Sequence, residues 1–311
     1  MVTGATGFIG RQLTQRINFD GKQLLKVTRR GILDDVINIG NITYETNWYS
    51  ALENVDCVIH LAARVHDTQH KISETLSEYR DINVEGTLNL ARQSANAGVR
   101  RFIFISTIKV NGDETFPGHP FTENDIPNPT DPYSLSKYEA ELGLRKIADN
   151  SGMDVVIIRP PLVYGPGVKA NFQKMMRSIM MGFPLPFGAI HNKRSMVALD
   201  NLVDLIVTCI DHSEATNQTF LVSDDDDLST TDLLERMSNL LGKPSRLIRV
   251  SPYFLKLGAK LIRKEEYTQR LLASLQVDIS STRRKLDWKP VCTVDEELAK
   301  TAEYFLSHYA P

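Results

Sequence analysis

At 311 residues with a formal net charge of −2, the chain is long enough for one large or two smaller domains. It lacks the basic excess that affinity for a phosphate backbone demands, so nucleic acid is not an expected partner. The 42% hydrophobic and 24% charged residues are ordinary for a folded globular protein; no apolar run approaches the ~20 residues of a membrane helix, and no basic-then-apolar leader opens the chain, so a cytoplasmic protein without a membrane partner is expected. In chain order, short apolar runs alternate with helix-period segments over the first 165 residues, the pattern of β-α units around a parallel sheet. Strands are predicted at Leu24 to Thr28, Cys57 to Ala62, Phe102 to Ser106 and Val155 to Ile158, each nearly continuous in apolar residues as for strands covered on both faces. A very short first strand, Met1 and Val2, precedes the first glycine turn.

Beyond Arg159-Pro160-Pro161 and Tyr164-Gly165-Pro166-Gly167 the pattern becomes irregular, and a second lobe is read from there. The expected fold class is α/β: a Rossmann-type doubly wound parallel sheet over residues 1–165 with a smaller C-terminal substrate lobe over 166–311. Within the latter, Asp200 to Ile210 carries Leu202, Leu205, Ile206, Cys209 and Ile210 on one helical stripe with Asp200 as the expected N-cap, so 195–212 is predicted to pack back on the first lobe. The acidic run Asp224 to Asp227 ahead of Ser229, Thr230 and Thr231 predicts a loop and a helix start. Cys57, Cys209 and Cys292 show no CxxC spacing, so no metal site and no disulfide framework are expected.

Two motifs carry chemistry. Thr3-Gly4-Ala5-Thr6-Gly7-Phe8-Ile9-Gly10 spaces glycines by three at a strand-to-helix junction, where backbone N–H groups approach a pyrophosphate at the positive end of a helix. The end of the second strand decides the dinucleotide: an acid there holds the ribose of NAD, but the chain reads Thr28-Arg29-Arg30 with no carboxylate before Asp34. Guanidiniums suit a 2′-phosphate, so NADP(H) is favoured with NAD(H) still possible. The second motif is Tyr133-Ser134-Leu135-Ser136-Lys137, which stacks a phenol and an ammonium on one helix face. The ammonium is expected to lower the phenol pKa toward neutrality, and Ser106-Thr107, ending a strand, is placed to offer a hydroxyl to the same substrate oxygen.

With TGATGFIG at 3–10, DCVIHLAA at 56–63, INVEGTLNL at 82–90, FISTIKVNG at 104–112, YSLSK at 133–137, RPPLVYGPG at 159–167 and LDW at 286–288, the chain resembles the extended short-chain dehydrogenase/reductases, in the NAD-dependent epimerase/dehydratase family that acts on nucleotide sugars. The resemblance implies Tyr133 as acid/base, Lys137 as its tuner and ribose ligand, and Thr107 as hydrogen-bond donor to the reacting oxygen. It implies a cofactor set of Gly4, Thr6, Gly7, Phe8, Ile9, Gly10, Arg29, Leu61, Ala62, Ala63, Tyr133, Lys137 and Pro160, with Asn47 standing where an adenine-binding aspartate is usual. Asn83 is implied in a supporting helix, by a structural or a functional role. Asn171 and Arg194 resemble residues that hold the sugar diphosphate, with a second arginine among Arg263, Arg270 and Arg283; a homodimer through roughly 72–94 and 133–150 is also implied.

The reaction is less constrained. Dehydratase members resemble one another in an Asp-Glu pair after the active-site threonine, and Ile108-Lys109 stands there, so dehydration lacks its acid and base. Arg29-Arg30 tilts the reading to NADPH-dependent reduction of a UDP-4-keto-6-deoxy-sugar for surface polysaccharide synthesis. The alternative is an NAD-dependent UDP-glucose or UDP-N-acetylglucosamine 4-epimerase, and more remotely a dinucleotide sensor without catalysis. Lys109 is read either as reaching the substrate or as a solvated loop lysine.

Overall fold

The computed structural model describes residues 1–29, 36–65, 75–261 and 265–309. In chain order its strands are β1 (Val2–Thr3), β2 (Lys26–Thr28), β3 (Val36–Asn38), β4 (Cys57–His60), β5 (Arg101–Ile105), β6 (Asp154–Arg159), β7 (Leu162–Tyr164), β8 (Met196–Ala198) and β9 (Thr219–Leu221). The helices are α1 (Phe8–Phe19), α2 (Leu76–Arg80), α3 (Thr87–Asn96), α4 (Pro132–Ser151), α5 (Ala170–Met180), α6 (Leu199–Asp211), α7 (Thr230–Leu240), α8 (Pro252–Leu261), α9 (Glu265–Leu272), α10 (Ser280–Leu286) and α11 (Val294–Tyr309). Seven strands form one sheet in the order β3-β2-β1-β4-β5-β6-β9, every neighbouring pair parallel. Strand order reverses between β1 and β4, and a doubly wound sheet opens its ligand crevice at the carboxyl ends of such a pair.

The unbroken apolar runs are explained by the two faces they serve. Along β5, Phe102 and Phe104 enter one core while Ile103 and Ile105 enter the other; along β6, Val155 and Ile157 part from Val156 and Ile158 in the same way. One core lies under α1 and α6, the other under α3 and α4. A third core is built from α5, α7 and α11 around Tyr164, Phe172, Met237, Leu298 and Phe305. The four predicted strands are present within a residue or two of their expected ends. The short β3, half exposed along its length, has no apolar run to announce it.

The later chain returns to the sheet twice. Helix α6 packs on α1 with Leu202, Leu205, Ile206, Cys209 and Ile210 all buried. Strand β9 then closes the sheet beside β6, a second return where 195–212 alone was anticipated. Asp200 is not the N-cap: α6 begins at Leu199 with Ala198 in that position. Asp200 sits in the first turn, accepting from Gln12 Nε2 at 2.9 Å and Lys300 Nζ at 2.6 Å, so it joins α1, α6 and α11. The acidic run does lead into a helix start, with Ser229 and Asp232 forming a reciprocal cap on α7.

Candidate active site

The glycine turn follows β1 directly. Gly4 has φ +68°, and a Cβ there would lie 2.9 Å from the Ala62 amide nitrogen. Gly10 lies against the Gly4 carbonyl so closely that any side chain would collide with it. Helix α1 starts at Gly7 with no side-chain cap and no acid in its first turn, leaving its positive end open to an anion. A cleft of about 660 Å³ begins here, lined by Gly4, Thr6, Gly7, Thr28, Arg29, Leu61, Ala62 and Ala63 among others. Phe8 and Ile9 pack into the cores beneath and Gly10 is buried, so these three shape the turn and do not line the cleft.

Asn47 does not line this cleft: it is exposed, with its Oδ1 accepting from the Tyr49 amide at 3.0 Å, while Asn41 and Ile42 line the cleft. Asn41 is reached because β3 and the positive-φ turn at Gly40 deliver it to the sheet's carboxyl edge. That Gly-Asn turn was the available signal. Arg30 lies outside the described residues, and Arg29 is exposed at the cleft edge.

Behind the cleft wall runs a buried polar chain. Thr3 Oγ1 and His60 Nδ1 are 2.7 Å apart, His60 Nε2 and Thr87 Oγ1 3.0 Å, and the Ala62 amide donates to Thr3 Oγ1 at 3.3 Å. Burial, with Lys137 nearby, pushes His60 down to about 3, so it acts as a neutral connector. Asn83 sits in a π-helical turn, Asp81–Gly86, a feature frequent at functional sites. Its side chain accepts from the Arg64 amide at 2.8 Å and donates to the Arg64 carbonyl and Ser136 Oγ, both at 3.0 Å. The loop after β4 is thereby tied to the helix that carries Tyr133 and Lys137.

Helix α4 begins with Asp131 as N-cap, accepting from the Ser134 amide at 2.7 Å, and Pro132 at its first position, where a missing N–H costs nothing. This puts Tyr133 in the first turn, its ring 6.1 Å from Tyr79, and Lys137 one turn on, buried with Nζ 4.0 Å from the Phe104 ring centroid. Thr107 ends the β5 strand region as the cap of the turn Ile108–Val110, and the Ile108 amide donates to the Pro160 carbonyl at 2.9 Å. Pro160 is therefore held beside the Thr107 turn and lies outside the dinucleotide cleft lining. Lys109 forms an ion pair with Asp131 and a longer one with Asp113 at 3.7 Å. It is therefore not a free loop lysine: it locks the Thr107 turn to the start of α4.

The electrostatics differ from the expectation drawn from YxxxK. The Tyr133 phenol lies above its usual range, through burial first and the Asp131 carboxylate second, not below it. The lowered group is Lys137, which burial takes down to about 7 against the opposing pull of Glu141. Burial would raise Asp131 too, but Lys109 and the Ser134 amide hold it below the usual carboxylate range. Beneath Lys137 lies an ion pair absent from the sequence reading: Glu141 accepts from Ser106 Oγ at 2.5 Å and from Arg159 at 3.0 and 2.5 Å, and Arg159 reaches Asn111 Oδ1 at 2.9 Å. All four side chains are buried.

The expected diphosphate residues lie apart from this cleft. Asn171 is exposed in the first turn of α5. Arg194 is half-buried, its amide donating to the Leu228 carbonyl at 3.0 Å and its guanidinium to the Ala273 carbonyl at 3.2 Å. Arg283 pairs with Asp225 at 2.6 Å, Arg263 falls outside the described residues, and Arg270 is on α9.

Comparison with known proteins identifies the family and the fold. A profile of the NAD dependent epimerase/dehydratase family matches residues 1–223. A UDP-glucose 4-epimerase of Vibrio cholerae is 47% identical over 311 residues, spanning 98% of this chain and 95% of that protein. A UDP-N-acetylglucosamine 4-epimerase from Bacillus cereus superposes with a TM-score of 0.79 over 97% of both chains at 22% identity. RMD from Pseudomonas aeruginosa, complexed with NADPH, gives 0.74 over 98% of both chains at 20% identity. The chain thus belongs to the NAD dependent epimerase/dehydratase family.

Proposed function

We infer that the protein is a 4-epimerase of UDP-hexoses that retains NAD through each cycle. The observation that carries this reading is the 47% identity to a UDP-glucose 4-epimerase across nearly the whole of both chains. The glycine turn, the uncapped end of α1 and the crevice at the strand reversal fit a dinucleotide. When bound, its nicotinamide supplies hydride acceptance and return. Tyr133, as the phenolate, takes the proton of the C4 hydroxyl and gives it back, Thr107 hydrogen-bonds the same oxygen, and Lys137 lies one turn on along the same helix face, its protonated form favouring that phenolate. Asn171 and Arg194 remain proposals for the sugar diphosphate.

A second reading is supported by Arg29 at the cleft edge: NADPH-dependent reduction of a 4-ketosugar, toward which the two arginines first tilted the balance. One experiment separates the two. The purified protein is given UDP-glucose, then a UDP-4-keto-6-deoxy-sugar with NADPH, while nicotinamide absorbance and sugar composition are followed. UDP-galactose formation without net nicotinamide consumption supports the epimerase; stoichiometric NADPH loss only with the ketosugar overturns it in favour of the reductase. A homodimer is also proposed, through the groove where α3 and α4 meet, lined by Leu88, Arg92, Glu139, Leu142 and Lys146.

A further inference from the structure

Helix α8 stands out in the second lobe because its apolar residues face outward. Tyr253, Phe254 and Leu257 are 69%, 63% and 49% exposed, whereas Ala259 is buried and Leu255 half-buried against the protein. At 100° per residue, Tyr253, Leu257 and Phe254 occupy one continuous arc, and Lys256 and Lys260, both exposed, lie one turn apart along its edge. The two aromatic rings meet edge to face at 5.6 Å. Just before the helix, Ile248 is 51% exposed beside exposed Arg249. From 243 to 264 the sequence holds seven Lys and Arg and no Asp or Glu, in a chain whose overall charge is −2.

We propose that α8 is a peripheral docking surface for an anionic lipid bilayer, with Tyr253, Phe254 and Leu257 entering the headgroup boundary and Lys256 and Lys260 reaching the lipid phosphates. An apolar arc bordered by lysines on a helix lying flat is the pattern of interfacial helices, and the long lysine stems let the charge stay at the headgroups while the helix sinks. Charge decides against a second copy of this chain: a two-fold interface would set this basic segment against itself. A polyanion such as nucleic acid would use the lysines and leave the aromatic arc in water. The contact is one of surface, since no helix among the described residues is long and apolar enough to cross a membrane.

The test is co-sedimentation of the full-length protein with vesicles of phosphatidylcholine alone or mixed with phosphatidylglycerol, beside the paired variants Tyr253→Ser/Phe254→Ser and Lys256→Glu/Lys260→Glu. Wild type should partition at least roughly tenfold more strongly onto the anionic vesicles, and each pair should lose at least that factor, with its melting temperature and UDP-sugar turnover unchanged as proof of folding. Equal partition onto both vesicles overturns the proposal. So does full binding by Tyr253→Ser/Phe254→Ser, which would mark a polyanion site, or a wild-type oligomer that ignores vesicles and is dissolved by these variants.

Discussion

At the scale of single residues, the decisive assignment is Lys109. Where a dehydratase would hold a carboxylate pair, this chain ties Lys109 to Asp131, and Asp131 is the charge that, after burial, raises the Tyr133 phenol. Removing the lysine leaves that carboxylate uncompensated two residues from the phenol. Lys109→Met should therefore shift the ascending limb of the kcat/KM against pH profile to higher pH, with activity at neutral pH falling roughly tenfold for each unit of displacement. An unchanged limb with a uniformly lower rate would reduce Lys109 to a structural brace. The Tyr133 to Lys137 spacing was legible in the sequence, and the family resemblance supplied the expected roles of Thr107, Tyr133 and Lys137, but neither gave the sign of the Tyr133 shift. The i, i+4 rule brings the ammonium near, whereas burial and a neighbouring carboxylate come from other parts of the chain.

At the scale of elements, the buried Glu141–Arg159 pair joins α4 to the end of β6 and, through Ser106 and Asn111, to the turn after β5. Truncating one partner strands the other charge, so Glu141→Ala should destabilise the fold by about 3–5 kcal/mol in denaturant unfolding. The double variant Glu141→Leu/Arg159→Met should recover most of that loss. If the single variant loses nothing, the pair is not the joint described here. In the sequence Glu141 is one acid among several on a long helix, and nothing local marks it as buried. Asn41 at the cleft was not anticipated for a related reason: β3 is three residues long and half exposed, the alternation of Ile37 and Ile39 is too brief to announce it, and the family resemblance pointed to Asn47 instead. The glycine turn, by contrast, was readable because its requirements are local, namely a positive φ at Gly4 and no room for a side chain at Gly10.

At the scale of the whole molecule, α6, α11 and the turn after β7 meet around Glu297. Glu297 is fully buried there between Lys300, at 3.2 Å, and Cys292, with Gly165 pressed against its second oxygen. Burial first, and Asp200 second, push its pKa up to about 7 from an ordinary value of 4.5. A raised folded-state pKa means that the native protein binds more protons than the unfolded chain between those two values. The stability this confers is complete below the ordinary value and is lost as pH rises through about 7. Glu297→Gln, which is neutral throughout, should flatten the fall of melting temperature between about pH 5 and pH 8. A variant that tracks the wild type over that interval would remove Glu297 as the titrating group.

The sequence by itself determined what is encoded locally or by periodicity: the α/β class, the places of the four predicted strands, the glycine turn on α1, the Tyr133 to Lys137 spacing and the amphipathic stripe of α6. The tertiary structure decided what depends on residues distant along the chain. It joined β9 to a sheet begun more than two hundred residues earlier, brought Asn41 to the cleft in place of Asn47, and buried Glu141 against Arg159. It also paired Lys109 with Asp131 and left the apolar arc of α8 facing outward. Burial and long-range pairing are properties of the assembled layers, so they set the pKa values and exposures that a reading of spacing alone has no means to compute.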